Sequence, residues 1–176
     1  VLQDGFILQL DQKDFQKVLN PKILGAWNLH QHSLDDPLDY FVCYSSVASL
    51  FGNPGQSNYV SANIFLDELS LFRRSLGLPS LTVNWGVISK VGYVSNHEEV
   101  SDILEKQGLK GLLPSQSLQI LGYLLNRNFK QMGVIDINWK SLFEFAPHFT
   151  SFPKFQHMYK DKISKNESDD KGFVSE

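Results

Sequence analysis

Residues 40–63 read YFVCYSSVASLFGNPGQSNYVSAN, and this stretch decides the fold class. The continuous apolar run at 40–44 is typical of a strand buried in a parallel sheet. Asparagine, proline and glycine at 53–55 are a turn signal. Apolar residues then recur at helical spacing, at positions 62, 65, 66, 69 and 72. The pattern predicts a strand, a turn and a long amphipathic helix, with Tyr59 and Asn63 one helical turn apart.

The flanking sequence repeats this alternation. A helix is predicted from about residue 14, which Pro21 should kink or restart. The segment 81–85 reads as the next strand, Pro114 opens another helix, and 133–137 reads as a last short strand. Strand, helix, strand, helix and strand in that order predict an α/β fold, in which right-handed crossovers join a Rossmann-like parallel sheet flanked by helices.

Composition excludes several classes of function. With 176 residues, 42% of them hydrophobic and 20% charged, the chain has the profile of one soluble globular domain. A net charge of -3 without a basic stripe argues against nucleic acid. No apolar run reaches the roughly 18 residues that span a bilayer, so we expect no membrane partner. Cys43 is the only cysteine, which favours a cytoplasmic setting. His30 and His32 lack a cysteine or carboxylate cluster beside them, so we expect no metal site.

Four segments, in order, carry a family resemblance. They are VLNPKILGAWNLH at 18–30, FVCYSS at 41–46, GNPGQSNYVSAN at 52–63 and NWG at 84–86. These residues resemble the ketoreductase domains of polyketide synthases and animal-type fatty acid synthases, a branch of the short-chain dehydrogenase/reductase fold. The resemblance covers most of residues 1–140, and the ordered spacing of its segments makes it specific.

The resemblance implies hydride transfer from NADPH to the β-keto group of a thioester carried on an acyl carrier protein. Tyr59 matches the proton donor, and Ser46 matches the hydroxyl that hydrogen-bonds the substrate carbonyl. A free phenol has a pKa of ~10, and a cation beside such a group favours the phenolate. Most short-chain reductases place that cation on a lysine where this chain has Asn63. The family exchanges the two groups, and Lys22 matches the displaced lysine.

Three further positions are implied on the cofactor and substrate side. Gly86 and Val87 match the backbone that faces the nicotinamide, where close approach favours a residue without a side chain. The region of about 87–113 matches the lid over the substrate, with Tyr93 on its hinge side. Its sequence otherwise reads as irregular, with one short charged helix.

The start of the chain bears on stereochemistry. Gln3 and Asp4, after a leucine, look like the Leu-Asp-Asp signature of one stereochemical class, with Gln3 as a departure and Asp4 retained. Phe51 stands where the opposite class carries tryptophan, and Pro54 and Asn58 also fit the first class. The resemblance implies a D-configured alcohol product.

The resemblance also divides the chain. Residues 1–145 match the C-terminal catalytic part of a ketoreductase domain, and 146–176 read as a linker and a disordered polar tail. No Gly-x-Gly-x-x-Gly pattern occurs in the sequence. We therefore expect the first strand–helix units and their glycine-rich cofactor loop to lie on a part of the domain that precedes these residues.

Three interpretations remain open. In the first, the chain is part of a larger synthase and acts with the remaining ketoreductase half, the other synthase domains and an acyl carrier protein with a phosphopantetheine-linked β-ketoacyl chain. In the second, it is a non-catalytic remnant or interaction module that lacks the cofactor half. The third is another short-chain enzyme, against which Asn63 counts. Under either of the first two interpretations, we expect the isolated chain to be inactive.

Overall fold

The computed structural model describes residues 2–89, 103–104, 106–153, 155 and 158. The helices are α1 (Gln12–His32), α2 (Ala48–Phe51), α3 (Ser57–Ser75), α4 (Pro114–Leu125) and α5 (Trp139–Phe145), followed by a 3-10 turn at Pro147–Ser151. The strands are β1 (Val42–Ser46), β2 (Leu81–Trp85), β3 (Leu109–Lys110), β4 (Gln131–Val134) and β5 (Asp136–Ile137). Within the described residues, no helix combines the length and the apolar character that crossing a membrane requires. Tyr93, most of the predicted lid and residues 159–176 of the predicted linker and tail lie outside the described residues.

Strands β1, β2 and β4 form a parallel sheet in the order β1-β2-β4. Helix α3 connects β1 to β2, and helix α4 connects β2 to β4. The register places Ser46 beside Trp85 and Trp85 beside Val134, so the carboxyl ends of the three strands meet at one edge. The predicted α/β fold with a parallel sheet is confirmed.

Strand β2 is the centre of the described core, because all five of its residues are buried. Leu81, Val83 and Trp85 share one apolar cluster with Leu124 of α4. On the opposite face, the Thr82 hydroxyl donates a hydrogen bond to the Leu66 carbonyl of α3 at 3.1 Å. The sheet therefore has α4 on one side and α3, with α1 packed against it, on the other.

Strand β1 starts two residues later than the apolar run at 40–44 predicts. Tyr40 precedes the strand and is 55% exposed, and Tyr44 within the strand is 49% exposed. In the described part of the chain, β2 is the only strand beside β1. Side chains on an edge strand are not enclosed on both faces, so the residues alternate between buried and exposed instead of being uniformly buried.

Helix α1 runs through Pro21 as a single element, so the predicted restart does not occur. Pro21 is exposed, and its missing N–H therefore leaves its carbonyl partner one turn earlier on the solvent side of the helix. The predicted apolar stripe of α3 is wrong at one position. Phe72 is 45% exposed, and its ring stacks on Trp27 of α1 with centroids 6.4 Å apart.

The segment at 133–137 is two strands and not one. The strand partner differs on the two sides of Ile135. Strand β4 pairs in parallel with β2, whereas β5 pairs antiparallel with β3, with Ile137 opposite Leu109. Ile88 and Leu112 form a further parallel bridge. The two ends of the region 87–113, predicted as irregular, are thus held in sheet structure.

A second cluster closes the described part of the chain. Phe51, at the end of α2, stacks face to face on Phe155 with centroids 4.9 Å apart, and it meets Phe149 edge to face at 5.7 Å. The packed part of the chain thus extends past residue 145 to Phe155. Its buried members are Leu142, Phe143, Ala146, Phe149 and Phe155.

A buried cation joins α1 to α3. The Arg73 Nη1 lies 3.0 Å from His30 Nδ1, and both side chains are almost fully buried. Arginine keeps its charge in proteins, so the guanidinium donates and the His30 ring accepts at Nδ1. The Arg73 Cζ also lies 3.8 Å from the centroid of the Phe41 ring. These contacts fix the ends of the two helices against the start of β1.

We expect Phe155→Ala to lower the free energy of unfolding by about 3 kcal/mol, because it opens a cavity beneath Phe51. The matched control is Phe152→Ala, since Phe152 is 43% exposed and packs on the rim of the same cluster. That change should cost less than about 1 kcal/mol. Urea unfolding of the three proteins tests the difference, and equal midpoints for wild type and Phe155→Ala would contradict it.

Acid should weaken the fold through His30. Burial lowers the pKa of His30 below its ordinary value, and the charge of Arg73 acts in the same direction. Below the unfolded-state pKa of about 6.5, the unfolded chain takes up a proton that the folded chain resists. This contribution to stability is therefore complete above about pH 6.5 and is lost as the pH falls.

Urea midpoints at about pH 7.5 and about pH 5.5 measure this loss. His30→Gln should reduce the difference between the two midpoints, whereas His32→Gln, at an exposed position of the same helix, should leave it at the wild-type value. The explanation fails if His30→Gln and wild type respond equally to acid.

Candidate active site

Ser46 is the last residue of β1, at the carboxyl edge of the sheet. Its Oγ accepts a hydrogen bond from the N–H of Ala48 at 3.2 Å, at the start of α2. That contact uses a lone pair of the hydroxyl and leaves its proton available for donation. The arrangement suits a group that donates to a carbonyl oxygen at the sheet edge.

Tyr59 lies in the first turn of α3, directly after the turn that follows α2. Gly52 and Gly55 in this turn have φ angles of 76° and 79°, a region that favours glycine. The N–H of Tyr59 donates to Oδ1 of Asn58 at 2.7 Å. The turn and this contact fix the backbone at the start of α3, where Tyr59 lies.

Lys22 of α1 reaches the same place. Its Nζ donates to the Tyr44 carbonyl at 3.0 Å and lies 5.9 Å from the centroid of the Tyr59 ring. Burial lowers the pKa of Lys22, while the Cys43 thiol and the Asp67 carboxylate act in the opposite direction. The lysine thus places an ammonium group beside the phenol, on the inner side of the sheet edge.

Asn63 is fully buried one turn after Tyr59. Its side-chain Nδ2 donates to the main-chain carbonyl of Tyr59 at 2.8 Å. The main-chain carbonyl of Asn63 accepts from the Ser45 hydroxyl at 3.3 Å. Its Oδ1 is buried and has no hydrogen-bond partner among the residues that the structure describes. Asn63 therefore ties the backbone of α3 to β1 and retains one acceptor beside the site.

Gly86 follows β2 at the same edge, and Val87 comes next. A side chain at Gly86 would bring its Cβ to 3.0 Å from Ile135 Cγ1 and 3.2 Å from the Val134 carbonyl. Packing against Ile135 is thus a reason for glycine here that sequence reasoning missed. The Val87 carbonyl accepts from the N–H of Leu112 at 2.9 Å, which fixes the backbone after the strand.

The segment that contains Asp4 lies on the turn before α3. Gln56 Nε2 donates to Asp4 Oδ2, and Asn58 Nδ2 donates to the Gln3 carbonyl, both at 2.8 Å. Asp4 is therefore beside the Tyr59 turn, at its exposed side. Phe51, another position with a stereochemical implication, packs against the second cluster, which contains Phe149 and Phe155.

Sequence reasoning missed a buried polar network behind Ser46. Asn84 of β2 donates through Nδ2 toward both carboxylate oxygens of Asp67, at 2.9 and 3.0 Å. The Ser49 hydroxyl donates to Asp67 Oδ2 at 2.7 Å. A signal was present, because Asn84 interrupts a buried strand and Asp67 falls on the apolar side of α3. Polar residues at such positions indicate partners inside the core.

The structure thus brings Lys22, Tyr59 and Asn63 together where α1, β1 and α3 meet. Ser46 ends β1 and Gly86 follows β2, so both lie at the carboxyl edge of the same sheet. Parallel sheets of this type bind ligands at the carboxyl ends of their strands. The described residues contain no group of three metal-binding side chains. A hydroxyl donor, a phenol and an ammonium group at one sheet edge can polarise and protonate a carbonyl oxygen.

Comparison with known sequences agrees with this geometry. The sequence model of the KR domain matches residues 1–90. The highly reducing polyketide synthase VdtX of Byssochlamys spectabilis is 41% identical over 105 residues, which cover 60% of this chain and 5% of that protein. The highly reducing polyketide synthase pspA of Penicillium soppii is 36% identical over 140 residues, or 77% of this chain and 6% of the relative. The chain thus spans a small fraction of these relatives' length.

Solved structures give the same result. One titled as an A-type ketoreductase from a modular polyketide synthase superimposes with a TM-score of 0.76 at 33% identity, over 80% of this chain and 29% of that one. The first ketoreductase of the tylosin polyketide synthase gives a TM-score of 0.75 at 35% identity, over 82% and 32% of the two chains. The matched residues 1–90 include those described at the sheet edge, and the chain belongs to the KR domain family.

Proposed function

We propose that the chain supplies the catalytic residues for NADPH-dependent reduction of a β-ketoacyl thioester to the β-hydroxyacyl thioester in polyketide or fatty acid synthesis. The proposal is supported chiefly by the contact of Lys22 with Tyr59 beside β1, the strand that ends at Ser46. Lys22 Nζ lies 5.9 Å from the Tyr59 ring, and Ser46 ends the strand whose Tyr44 carbonyl holds Lys22. A carbonyl reductase of this kind needs a hydroxyl donor and a phenol at the substrate oxygen, and a cation that favours the phenolate.

Each residue then has a distinct role. The Ser46 hydroxyl donates a hydrogen bond to the β-keto oxygen and orients the carbonyl. Tyr59 transfers its phenolic proton to that oxygen as the adjacent carbon gains a hydride. The Lys22 ammonium stabilises the phenolate that remains. Positioned acid catalysis of this kind contributes about 10²–10⁴-fold to the rate. Asn63 holds the Tyr59 turn against β1 through its two main-chain hydrogen bonds.

The nicotinamide cofactor fits the same edge. When bound, it supplies the hydride. Gly86 and Val87 would face it, because they follow β2 beside the end of β1 and their backbone is held by Val134 and Leu112. The orphaned Oδ1 of Asn63 is a further polar atom on this side. We also propose that the cofactor is NADPH and that the segment with Tyr93 acts as a lid over the substrate. The product would be a D-configured alcohol, in keeping with Asp4 beside the Tyr59 turn.

Partners follow from the relatives. The matched synthases are far longer than this chain, and the matched ketoreductase structures are about three times its aligned length. We propose that the chain acts in the cytoplasm within a larger synthase, with the remaining ketoreductase half providing the glycine-rich loop. An acyl carrier protein would present the β-ketoacyl group on its phosphopantetheine arm. Residues 1–145 would form the catalytic part of the domain. The predicted linker and tail at 146–176 would lead out of it only after Phe155, because Phe155 stacks on Phe51.

The alternative of a non-catalytic remnant rests on the sequence, which contains no Gly-x-Gly-x-x-Gly pattern. NADPH oxidation with a small β-keto thioester separates the two. The isolated chain should be silent in both cases. A full-length protein that carries this chain should turn over if the chain is catalytic and stay silent if it is a remnant.

Tyr59→Phe in the full-length protein should reduce turnover at least ~100-fold, because the proton donor is removed. Cofactor affinity, measured by fluorescence titration, should stay at the wild-type value. Tyr123→Phe, at an exposed position of α4, is the matched control and should keep wild-type turnover. Substantial activity in Tyr59→Phe would sink the assigned role.

Lys22→Met should also reduce turnover, by about 10²-fold at neutral pH, because the ammonium group beside Tyr59 is lost. Burial lowers the pKa of Lys22, so the wild-type rate should fall as the pH rises through that lowered value. The variant should lack this fall. Lys17→Met, on the exposed part of the same helix, should keep the wild-type rate and profile. A Lys22→Met enzyme with an unchanged profile would contradict the role.

A further inference from the structure

Asp67 is a buried carboxylate behind the proposed catalytic serine. It lies on α3 two helical turns after Tyr59 and is 6% exposed. No described lysine or arginine forms an ion pair with it. A buried carboxylate needs compensating hydrogen bonds. The side chains that donate to Asp67 are therefore the ones whose positions it fixes.

Two side chains donate to this carboxylate. Ser49 Oγ donates to Oδ2 at 2.7 Å, and Asn84 Nδ2 lies 2.9 and 3.0 Å from the two oxygens. Asn84 Nδ2 also lies 2.8 Å from Ser49 Oγ. Hydrogen bonds to an ionised carboxylate are about twice as strong as neutral ones. Asp67 is thus a firm anchor for Ser49 and Asn84.

The anchor reaches Ser46 from two directions. The single proton of the Ser49 hydroxyl is shared by two acceptors, Asp67 Oδ2 at 2.7 Å and the Ser46 carbonyl at 2.8 Å. Asn84 Nδ2 lies 3.2 Å from the hydroxyl of the preceding Ser45. Ser49 stands on α2 beside Ala48, whose N–H fixes the Ser46 hydroxyl. Ser49 thus contacts the backbone of Ser46, and the N–H of the neighbouring Ala48 holds the Ser46 hydroxyl.

We propose that Asp67 is a positioning residue that acts through Ser49 to fix the Ser46 hydroxyl for the substrate carbonyl. The inference rests on the proposed function, since it assigns Asp67 a part in the same reaction. Asp67 itself touches neither substrate nor cofactor in this scheme. Ser49 is the link, because its hydroxyl lies within hydrogen-bond distance of both the carboxylate and the Ser46 carbonyl, whereas Asn84 Nδ2 lies 3.5 Å from that carbonyl.

The test is Ser49→Ala in the full-length protein, which removes the link and leaves the Asp67–Asn84 pair intact. With a small β-keto thioester, kcat should fall about tenfold or more while KM and cofactor affinity stay unchanged, because misplaced catalytic groups lose rate. Ser49→Thr restores a hydroxyl and should recover most of kcat. The matched control is Ser61→Ala on α3, whose exposed hydroxyl donates to the Ser57 carbonyl of its own helix; it should keep the wild-type kcat.

A double variant separates positioning from general damage. If Ser49 acts through Ser46, then Ser49→Ala should cause no further loss of kcat in a Ser46→Ala background. A loss of the same size in both backgrounds, or a wild-type kcat in Ser49→Ala, overturns the inference. Asp67→Asn should lower kcat at least as much as Ser49→Ala, and a smaller effect also overturns it.

A second measurement does not depend on turnover. Hydrogen exchange at the N–H of Ala48, whose acceptor is Ser46 Oγ, should be faster in Ser49→Ala than in Ser61→Ala. Faster exchange in a protein whose wild type reduces no thioester would support the hydrogen-bond path and overturn the proposed function. Unchanged exchange in an active protein would overturn the path alone.

Discussion

The requirement that the Asp67 carboxylate remain hydrogen-bonded inside the protein governs how the described elements fit together. Its partner Asn84 sits on the central strand, and Gln131 of β4 donates to the Asn84 Oδ1 at 3.1 Å. One side-chain amide therefore connects α3, α2 and all three parallel strands. A shift of one residue in the register of β2 would turn Asn84 toward the apolar α4 face and deprive the carboxylate of the Asn84 N–H donor. The network permits one register, and that register brings Ser46 level with Trp85.

With α3 fixed at this point, the remaining groups of the site are placed by the ends of the helices. Arg73, further along α3, holds α1 through His30, and α1 in turn delivers Lys22 to the Tyr44 carbonyl. Tyr59 lies at the opposite end of α3 from Arg73. The phenol and the lysine thus come from two helices that are fastened to each other at a distance from the chemistry. Such fastening keeps catalytic groups in place without crowding the substrate.

Local pattern predicted the parallel sheet and the long helix of α3, because strand runs and helical spacing are written in neighbouring residues. The Tyr59–Asn63 pair was predictable for the same reason, since one helical turn joins them. The nearness of Lys22 to Tyr59 came only from the family resemblance. The stacking of Phe51 on Phe155, the pairing of β3 with β5 and the Asp67 network join residues far apart in sequence. Periodicity predicts that such residues are buried, or that a polar residue stands at a core position. It does not predict which residues they contact.

The contact between Phe51 and Phe155 sets an order of events during synthesis. Phe51 closes the short helix that leads into the Tyr59 turn, yet its stacked partner is among the last described residues of the chain. Contacts of such long sequence separation form late, since the intervening chain must be closed into a loop first. The three parallel strands are translated before Phe155 leaves the ribosome. The turn that carries the tyrosine therefore acquires its final support only when translation has passed the whole sheet.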